Sequence, residues 1–497
     1  MHDVVAVVGA GTMGAGIAQV AALAGHRVLL LDAVPGAADR ALSGIRERVK
    51  TLVARGKIEA DPESLDLTAV DSVDALAPAG LVIEAIVEDL AVKRNLFADL
   101  ERAVGPECVL ASNTSSLSPT AIAAGLEHPE RVLGLHFFNP VPRMRLVELI
   151  AGADTSPELA DRTAALVDRW GKTVVRAAAT PGFIVNRIAR PYYAEAWRLY
   201  EERAATPETI DAVLTGAGGF PMGPFALMDL IGHDVNEAVT RSVWTAFAQD
   251  PRFAPSLAQR ALVEAGRLGR KSGRGVYAYG EDARPPAATP AAPRPAPSGE
   301  ITDNGAVDLR PLLIRAGIDV REGEPSNGTV VLPSGALLVR SNGETATELV
   351  GDYGRAVIVV DRTLDDATAT AIAIAPCDDC PEDALDEAIG LLQAAGLAVH
   401  VIDDAPGLIV TRTVAMLVNL AVDALQQGIA TAADLDTAMR LGAGHPLGPL
   451  AWGDRWGADT VDDIVTILQE VYGDPRYRPA PLLRRRARTG TTLTGTE

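Results

Sequence analysis

Two side chains in the stretch "GLHFFNPVPRMRLVELI" (134–150) have the types and the spacing for proton transfer. A turn centred on Pro142 folds the apolar run 132–138 back on 145–150. In such an antiparallel hairpin, directly opposed residues have numbers with a constant sum, so His136 faces Glu148. An imidazole near neutral pKa suits removal of a proton from a hydroxyl, and a carboxylate behind it orients the ring and stabilises its charged form. A histidine in an apolar strand, taken alone, is more often a satisfied core residue. The choice between the two readings rests on the scaffold that carries the pair.

That scaffold starts with "GAGTMG", directly after an apolar strand at 4–8 and at the opening of a helix. Gly9 permits a tight turn, Gly11 lets backbone approach a pyrophosphate, and Gly14 allows close helix–strand packing, with Thr12 and Met13 between them. The next strand, 27–31, ends at Asp32, where a carboxylate takes ribose hydroxyls and repels a 2′-phosphate. NAD is therefore the expected cofactor, ahead of NADP. Further short buried strands at 81–85 and 109–112, separated by helical patterns, predict a parallel, doubly wound α/β domain of Rossmann type. On such a fold the pair reads as hydride transfer to nicotinamide, with His136 taking the hydroxyl proton.

Composition bounds the partners. A formal net charge of −20 argues against a general nucleic-acid or anionic-membrane binder, although a local basic pocket remains compatible with it. No run of about 18 apolar residues suggests a membrane span. Cys108, Cys377 and Cys380 are too few for a disulfide framework, which points to a reducing, cytoplasmic setting. "CDDC" (377–380) lacks a second pair or a suitably spaced histidine, so no metal site is expected.

Beyond residue 180 the texture becomes helical: "ATPETIDAVLTG" has a Thr206 cap, Pro207 in the first turn and Gly216 at the stop. A Pro/Ala-rich linker with nothing to bury comes next, and then a poorer α/β segment with strands near 356–360 and 369–374. After it comes a repeat: "TPGFIVNR" (180–187) returns as "APGLIVTR" (405–412), and "FPMGPFALMD" (220–229) as "HPLGPLAWGD" (445–454), at one constant offset. The expected order is a Rossmann-type domain (1–180), an all-α domain (181–280), a linker (281–300), a degenerate α/β domain (301–404) and a second, duplicated all-α domain (405–497).

Taken in order, "GAGTMGAGIA", "VIEAIVEDLAVK", "SNTSSLS", "HFFNPVPRMRLVE", "TPGFIVNR", "FPMGPFALMD" and "GRKSGRGVYAY" resemble the L-3-hydroxyacyl-CoA dehydrogenase family over residues 1–280, and again, more weakly, in the second helical unit. The long form looks like the 3-hydroxybutyryl-CoA and 3-hydroxyadipyl-CoA dehydrogenases of fatty acid and phenylacetate catabolism. The resemblance implies oxidation of (S)-3-hydroxyacyl-CoA to 3-oxoacyl-CoA, with His136 as base and Glu148 as its partner. It implies that Ser115 and Asn186 hold the substrate oxygen. It also implies cofactor contacts at Glu88, Lys93, Asn113, Ser115, Asn139 and Lys271. "SNTSS" by itself reads equally as an ordinary polar loop.

The carrier of the thioester has its own hint in "IRERVKTLVARGK" (45–57), a basic helix in an acidic chain. Arg55 and Lys57 are the candidates for its phosphates; a solvated helix face is the equal alternative. The duplicated half is expected to have lost the chemistry. Asn186 corresponds to Thr411, "TAIAIAP" serves as the best counterpart of "VLGLHFFNP" without a histidine, and the segment before "APGLIVTR" is too short for a second complete hairpin. Family members dimerise through their helical domains, so the chain is expected as a homodimer, or as an intrachain pseudo-dimer of its two helical domains. The rival readings are a sugar-acid dehydrogenase of the same superfamily and a catalytically retired NAD-binding protein.

Overall fold

The computed structural model describes residues 4–280, 283–284, 287–324 and 328–495. They divide into two compact units, one of 1–187 with 424–443 and one of 188–423 with 444–497.

The first unit is built on an eight-stranded sheet: β1 (Val4–Val8), β2 (Arg27–Leu31), β3 (Leu67–Val70), β4 (Leu81–Glu84), β5 (Val109–Ser112), β6 (Val132–Phe137), β7 (Leu146–Ala151) and β8 (Thr173–Ala178). Their order is β3-β2-β1-β4-β5-β6-β7-β8. Strands β1 to β6 are parallel, whereas β7 runs antiparallel to β6 and β8 parallel to β7. The strands read as continuous Val/Ile/Leu runs because apolar clusters cover both faces of the sheet. Strand order reverses between β1 and β4, the place where such sheets open a crevice at their carboxyl ends.

A segment of the second helical repeat completes this unit. The helix Ala432–Gly442, capped by the Thr431 side chain on the Asp434 amide, packs on β7 and β8. Ala178 N–H, at the last residue of β8, donates to the Ile429 carbonyl at 2.8 Å.

The second unit holds the helices of the first repeat, most of the second repeat and a mixed seven-stranded sheet. Its strands are β9 (Ile301–Asn304), β10 (Val320–Glu322), β11 (Thr329–Val331), β12 (Leu337–Arg340), β13 (Val357–Val360), β14 (Ala371–Pro376) and β15 (Ala398–Val401), in the order β10-β9-β11-β12-β13-β14-β15. Thr206 caps the helix Pro207–Gly216 as its sequence predicts. The described part of the Pro/Ala-rich stretch stays exposed or half-buried, but it is tied to the second sheet and its helix. Ala291 N–H donates to the Val399 carbonyl, Gln393 holds the Ala291 and Ala292 carbonyls, and Gly390 admits the backbone at Pro295 where a Cβ would not fit.

The two repeats pack together within this unit. Arg412 is fully buried and paired with Glu195 at 3.3 Å, and it donates to the hydroxyls of Tyr472 and Tyr477. Among the described residues no helix is long and apolar enough to cross a membrane.

Candidate active site

The β6–β7 hairpin has the register predicted from its turn, with His136 directly opposite Glu148. The imidazole Nδ1 lies 2.6 Å from Glu148 Oε2. Glu148 is wholly buried, and its other oxygen accepts the backbone N–H groups of Ile184 (3.0 Å) and Val185 (2.9 Å). Those amides turn toward the carboxylate because Phe183 sits at φ 45°, a left-handed conformation that costs a non-glycine residue energy. Phe138 and Phe183 pack on the imidazole with ring centroids 4.5 and 5.8 Å away. With Nδ1 engaged, Nε2 has no hydrogen-bond partner among the described residues and is the nitrogen left for a substrate.

Two further segments tie into this hairpin. Asn113, just past β5, accepts the Phe137 N–H through its side chain at 2.8 Å, which sets the start of the Thr114–Ser116 loop against β6. Ser115 is half-buried, and its hydroxyl has no partner among the described residues. Asn186 follows the two amides bound to Glu148, in the short helix Val185–Ile188, and its side chain is likewise without a partner among those residues. Asn139 is exposed, on the turn after β6.

The residues expected to hold the nucleotide gather at the carboxyl ends of β1, β2 and β4. Gly9 has φ 105°, and a Cβ there would meet the Ala85 carbonyl oxygen at 2.5 Å; a Cβ on Gly14 would meet the Gly9 carbonyl oxygen at 1.7 Å. Gly11 is different: nothing lies within 4 Å of where its Cβ would be, so this position faces open space beside exposed Thr12 and half-buried Met13. A tight turn, an open glycine and a helix N-terminus suit a pyrophosphate. Asp32 accepts the Ala10 N–H at 2.6 Å and the Val34 N–H at 2.8 Å, which holds a carboxylate beside that turn. The residues present therefore fit a dinucleotide.

Glu88 accepts from Thr114 Oγ1 (2.6 Å), from the Ser115 and Ser116 amides and from Ser116 Oγ. Burial works to raise its pKa, but the Thr114 hydroxyl and the Lys93 ammonium prevail and hold it below the usual carboxylate range. Lys93 is itself buried, 2.7 Å from Glu84 and 3.2 Å from Glu88. Its work in this arrangement is to fix two carboxylates. Glu84, fully buried at the end of β4 and also accepting from Ser112 Oγ, is the residue that sequence reasoning passed over. A glutamate ending an apolar parallel strand was the available signal.

Lys271 belongs to the second unit, where it is ion-paired with Asp234 at 2.6 Å. The basic helix ends earlier than its charge pattern suggests, at Ala54, so Arg55 and Lys57 lie beyond it. Both are exposed and without an ion pair among the described residues. Burial, with the neighbouring Cys377, pushes the Cys380 thiol up to about 12, and no group of three or more potential metal ligands exists among the described residues.

The second sheet corrects the expected alignment of the duplicated half. Gly182 and Gly407 are 225 residues apart, and the same offset carries the whole β6–β7 hairpin onto β13–β14. The counterpart of "VLGLHFFNP" is thus 357–365, "VIVVDRTLD", and "TAIAIAP" matches the second strand of the hairpin instead. Far from being too short, the segment holds a complete hairpin in which Asp361 stands for His136 and Ala373 for Glu148. The Asp361 N–H donates to the Ala373 carbonyl at 3.0 Å. The Asp361 carboxylate, fully buried, accepts the amides of Ile409, Val410 and Thr411 and the Thr411 hydroxyl. It does for the second sheet what Glu148 does for the first, with Leu408 at the same φ of 45° as Phe183, and there is no imidazole in between.

Comparison with known proteins agrees with this geometry. Residues 4–180 match a family model described as 3-hydroxyacyl-CoA dehydrogenase, NAD binding domain; 182–279 and 407–496 match the C-terminal domain of the same family. Residues 338–406 match a 3-hydroxybutyryl-CoA dehydrogenase reduced Rossmann-fold domain. The chain is 47% identical to a 3-hydroxyadipyl-CoA dehydrogenase of Escherichia coli over 97% of both chains. It is 40% identical to the mitochondrial hydroxyacyl-coenzyme A dehydrogenase of Sus scrofa over 55% of this chain and 90% of that one. The crystal structure of a 3-hydroxybutyryl-CoA dehydrogenase from Escherichia coli K12 superposes with a TM-score of 0.90 at 46% identity, covering 98% of this chain and 99% of that one.

Proposed function

The chain belongs to the 3-hydroxyacyl-CoA dehydrogenase family, and from that premise we propose that it oxidises short-chain (S)-3-hydroxyacyl-CoA thioesters, 3-hydroxybutyryl-CoA or 3-hydroxyadipyl-CoA, to 3-oxoacyl-CoA. Bound NAD supplies the acceptor for the hydride that leaves C3. His136 Nε2 takes the hydroxyl proton, and Glu148 holds the ring in the tautomer that leaves Nε2 free and stabilises the imidazolium that forms. Ser115 and Asn186 donate hydrogen bonds to the substrate oxygen as its charge changes. Asp32 reads the ribose, and the exposed Arg55 and Lys57 serve the phosphates of coenzyme A. The observation that carries the reading is the 2.6 Å contact between His136 and a buried glutamate whose other oxygen is held by two amides.

The test is NADH formation from (S)-3-hydroxybutyryl-CoA by the wild type and His136→Gln. The variant is expected to lose orders of magnitude in kcat with NAD affinity kept. A wild type that binds NAD tightly but turns over no thioester would overturn the assignment. Competition by free coenzyme A separates this reading from a sugar-acid dehydrogenase, which has no use for such a pocket.

The duplication supports a second part of the reading, that one chain is an intrachain pseudo-dimer. Ala178 bonds to Ile429 in one unit, and Asp403 N–H to the Ala204 carbonyl in the other, at the same 225-residue offset. Arg187 donates to Gln427 and Arg412 to Glu202 in the same reciprocal way. Each repeat thus lends a loop to the edge of the other half's sheet. A solution mass showing activity confined to a homodimer would count against it.

A further inference from the structure

The second unit contains a cavity of about 320 Å³ between the helices Arg190–Glu201, His233–Ala246 and Leu257–Glu264. Four arginines line it, and three of them are neutralised within the fold. Arg198 meets Glu202 and Asp474, Arg252 meets Asp250 and Asp423, and Arg476 lies 3.9 Å from Asp474. Arg190 is the exception. It is only 5% exposed, yet no carboxylate lies within ion-pair distance of it among the described residues. Its NH1 donates to Thr240 Oγ1 at 2.9 Å, its guanidinium carbon stands 4.9 Å from the Tyr193 ring centroid, and its Nε has no hydrogen-bond partner among the described residues. Burial lowers its pKa and only Tyr193 works against that.

A buried, uncompensated cation is costly, so a fold that keeps one beside an open cavity has a use for an anion there. A guanidinium presents a planar fork of donors that matches the two oxygens of a carboxylate. We propose that Arg190, with Thr240 and Tyr193 beside it, forms a carboxylate-binding subsite in this cavity.

Two sources offer that chemistry. One is the far carboxylate of a dicarboxylic acyl group on the thioester, which rests on the function proposed above. Arg190 follows Asn186 by four residues, so their Cα atoms are at most about 14 Å apart by chain length alone. The other is a free carboxylate that binds independently of turnover.

The experiment compares wild type with Arg190→Met and Arg190→Lys on 3-hydroxyadipyl-CoA and 3-hydroxybutyryl-CoA, and follows thermal unfolding with free adipate, using inorganic phosphate as the control anion. With the substrate carboxylate as ligand, Arg190→Met lowers kcat/KM for the adipyl thioester by on the order of 10- to 100-fold, leaves the butyryl thioester within about twofold, and Arg190→Lys recovers part of the loss. With a free carboxylate as ligand, both thioesters are unaffected, and adipate raises Tm for the wild type but not for Arg190→Met. Equal effects on both thioesters, or none, with no adipate-dependent shift in Tm, overturn the subsite. Should Arg190→Met not fold, the ratio of the two thioesters for Arg190→Lys and the adipate shift of the wild type decide. Failure of the wild type on both thioesters would refute the proposed function instead, and the adipate arm would still stand.

Discussion

Replacing Glu148 by glutamine removes one charge and almost no volume, and the surroundings of this residue dictate the consequence. In the wild type one carboxylate oxygen receives the imidazole Nδ1–H, and the other receives the amides of Ile184 and Val185. The amide oxygen of a glutamine satisfies the two backbone donors, which leaves its NH2 facing Nδ1. That NH2 donates, so Nδ1 must become the acceptor and the proton moves to Nε2. The ring is then locked in the tautomer that cannot take a proton from substrate. Restoring the working tautomer means flipping the amide against two N–H groups or setting NH2 against N–H. Either way at least two buried donors are orphaned, at about 1–3 kcal/mol each, or about 2–6 kcal/mol in all. At about 1.4 kcal/mol per tenfold, kcat is expected to fall between about 30-fold and about 20,000-fold. NAD affinity should hold within about twofold and Tm within a few degrees, because the two backbone bonds survive. The assay is NADH absorbance under saturating substrate, with NAD binding followed by calorimetry. A variant with kcat within about threefold of wild type would refute the tautomer argument.

The nucleotide loop gives a contrast between two glycines. Gly14→Ala forces a Cβ into the Gly9 carbonyl and is expected to lower Tm and NAD affinity together, whereas Gly11→Ala has open space, should leave Tm unchanged, and should weaken NAD alone; equal Tm losses would contradict the division of labour. Asp361→Ala orphans the buried amides of Ile409, Val410 and Thr411 and should cost about 3 kcal/mol of stability or more, read by urea unfolding, while kcat at temperatures where the variant is folded stays unchanged. A tenfold fall in kcat in the folded variant would show that the second hairpin still takes part in chemistry.

Much of this was legible in the chain. The hairpin register follows from one turn and the alternation of a strand, since a slip by a single residue would turn His136 and Glu148 onto opposite faces of the sheet. Local pattern also exposed the glycine loop, the acid at the end of β2 and the constant offset of the repeat. These features need only neighbours in sequence, and backbone geometry ties them to structure directly.

The tertiary structure decided the rest, and in each case the partners are far apart in the chain. The repeat's constant offset sets Asp361 at the histidine's place, but "VIVV" reads as any buried strand, and only its pairing with β14 shows that a hairpin is there to be matched. Glu148 looked like the partner of one imidazole until the fold brought it the amides of 184 and 185, which make it a clamp as well. The helix Ala432–Gly442 carries the same cap and apolar spacing as its counterpart Pro207–Gly216, yet it packs on β7 and β8 while the counterpart packs on β14. An apolar face states that it must be buried; which of two similar sheets buries it is settled by the packing of the whole chain.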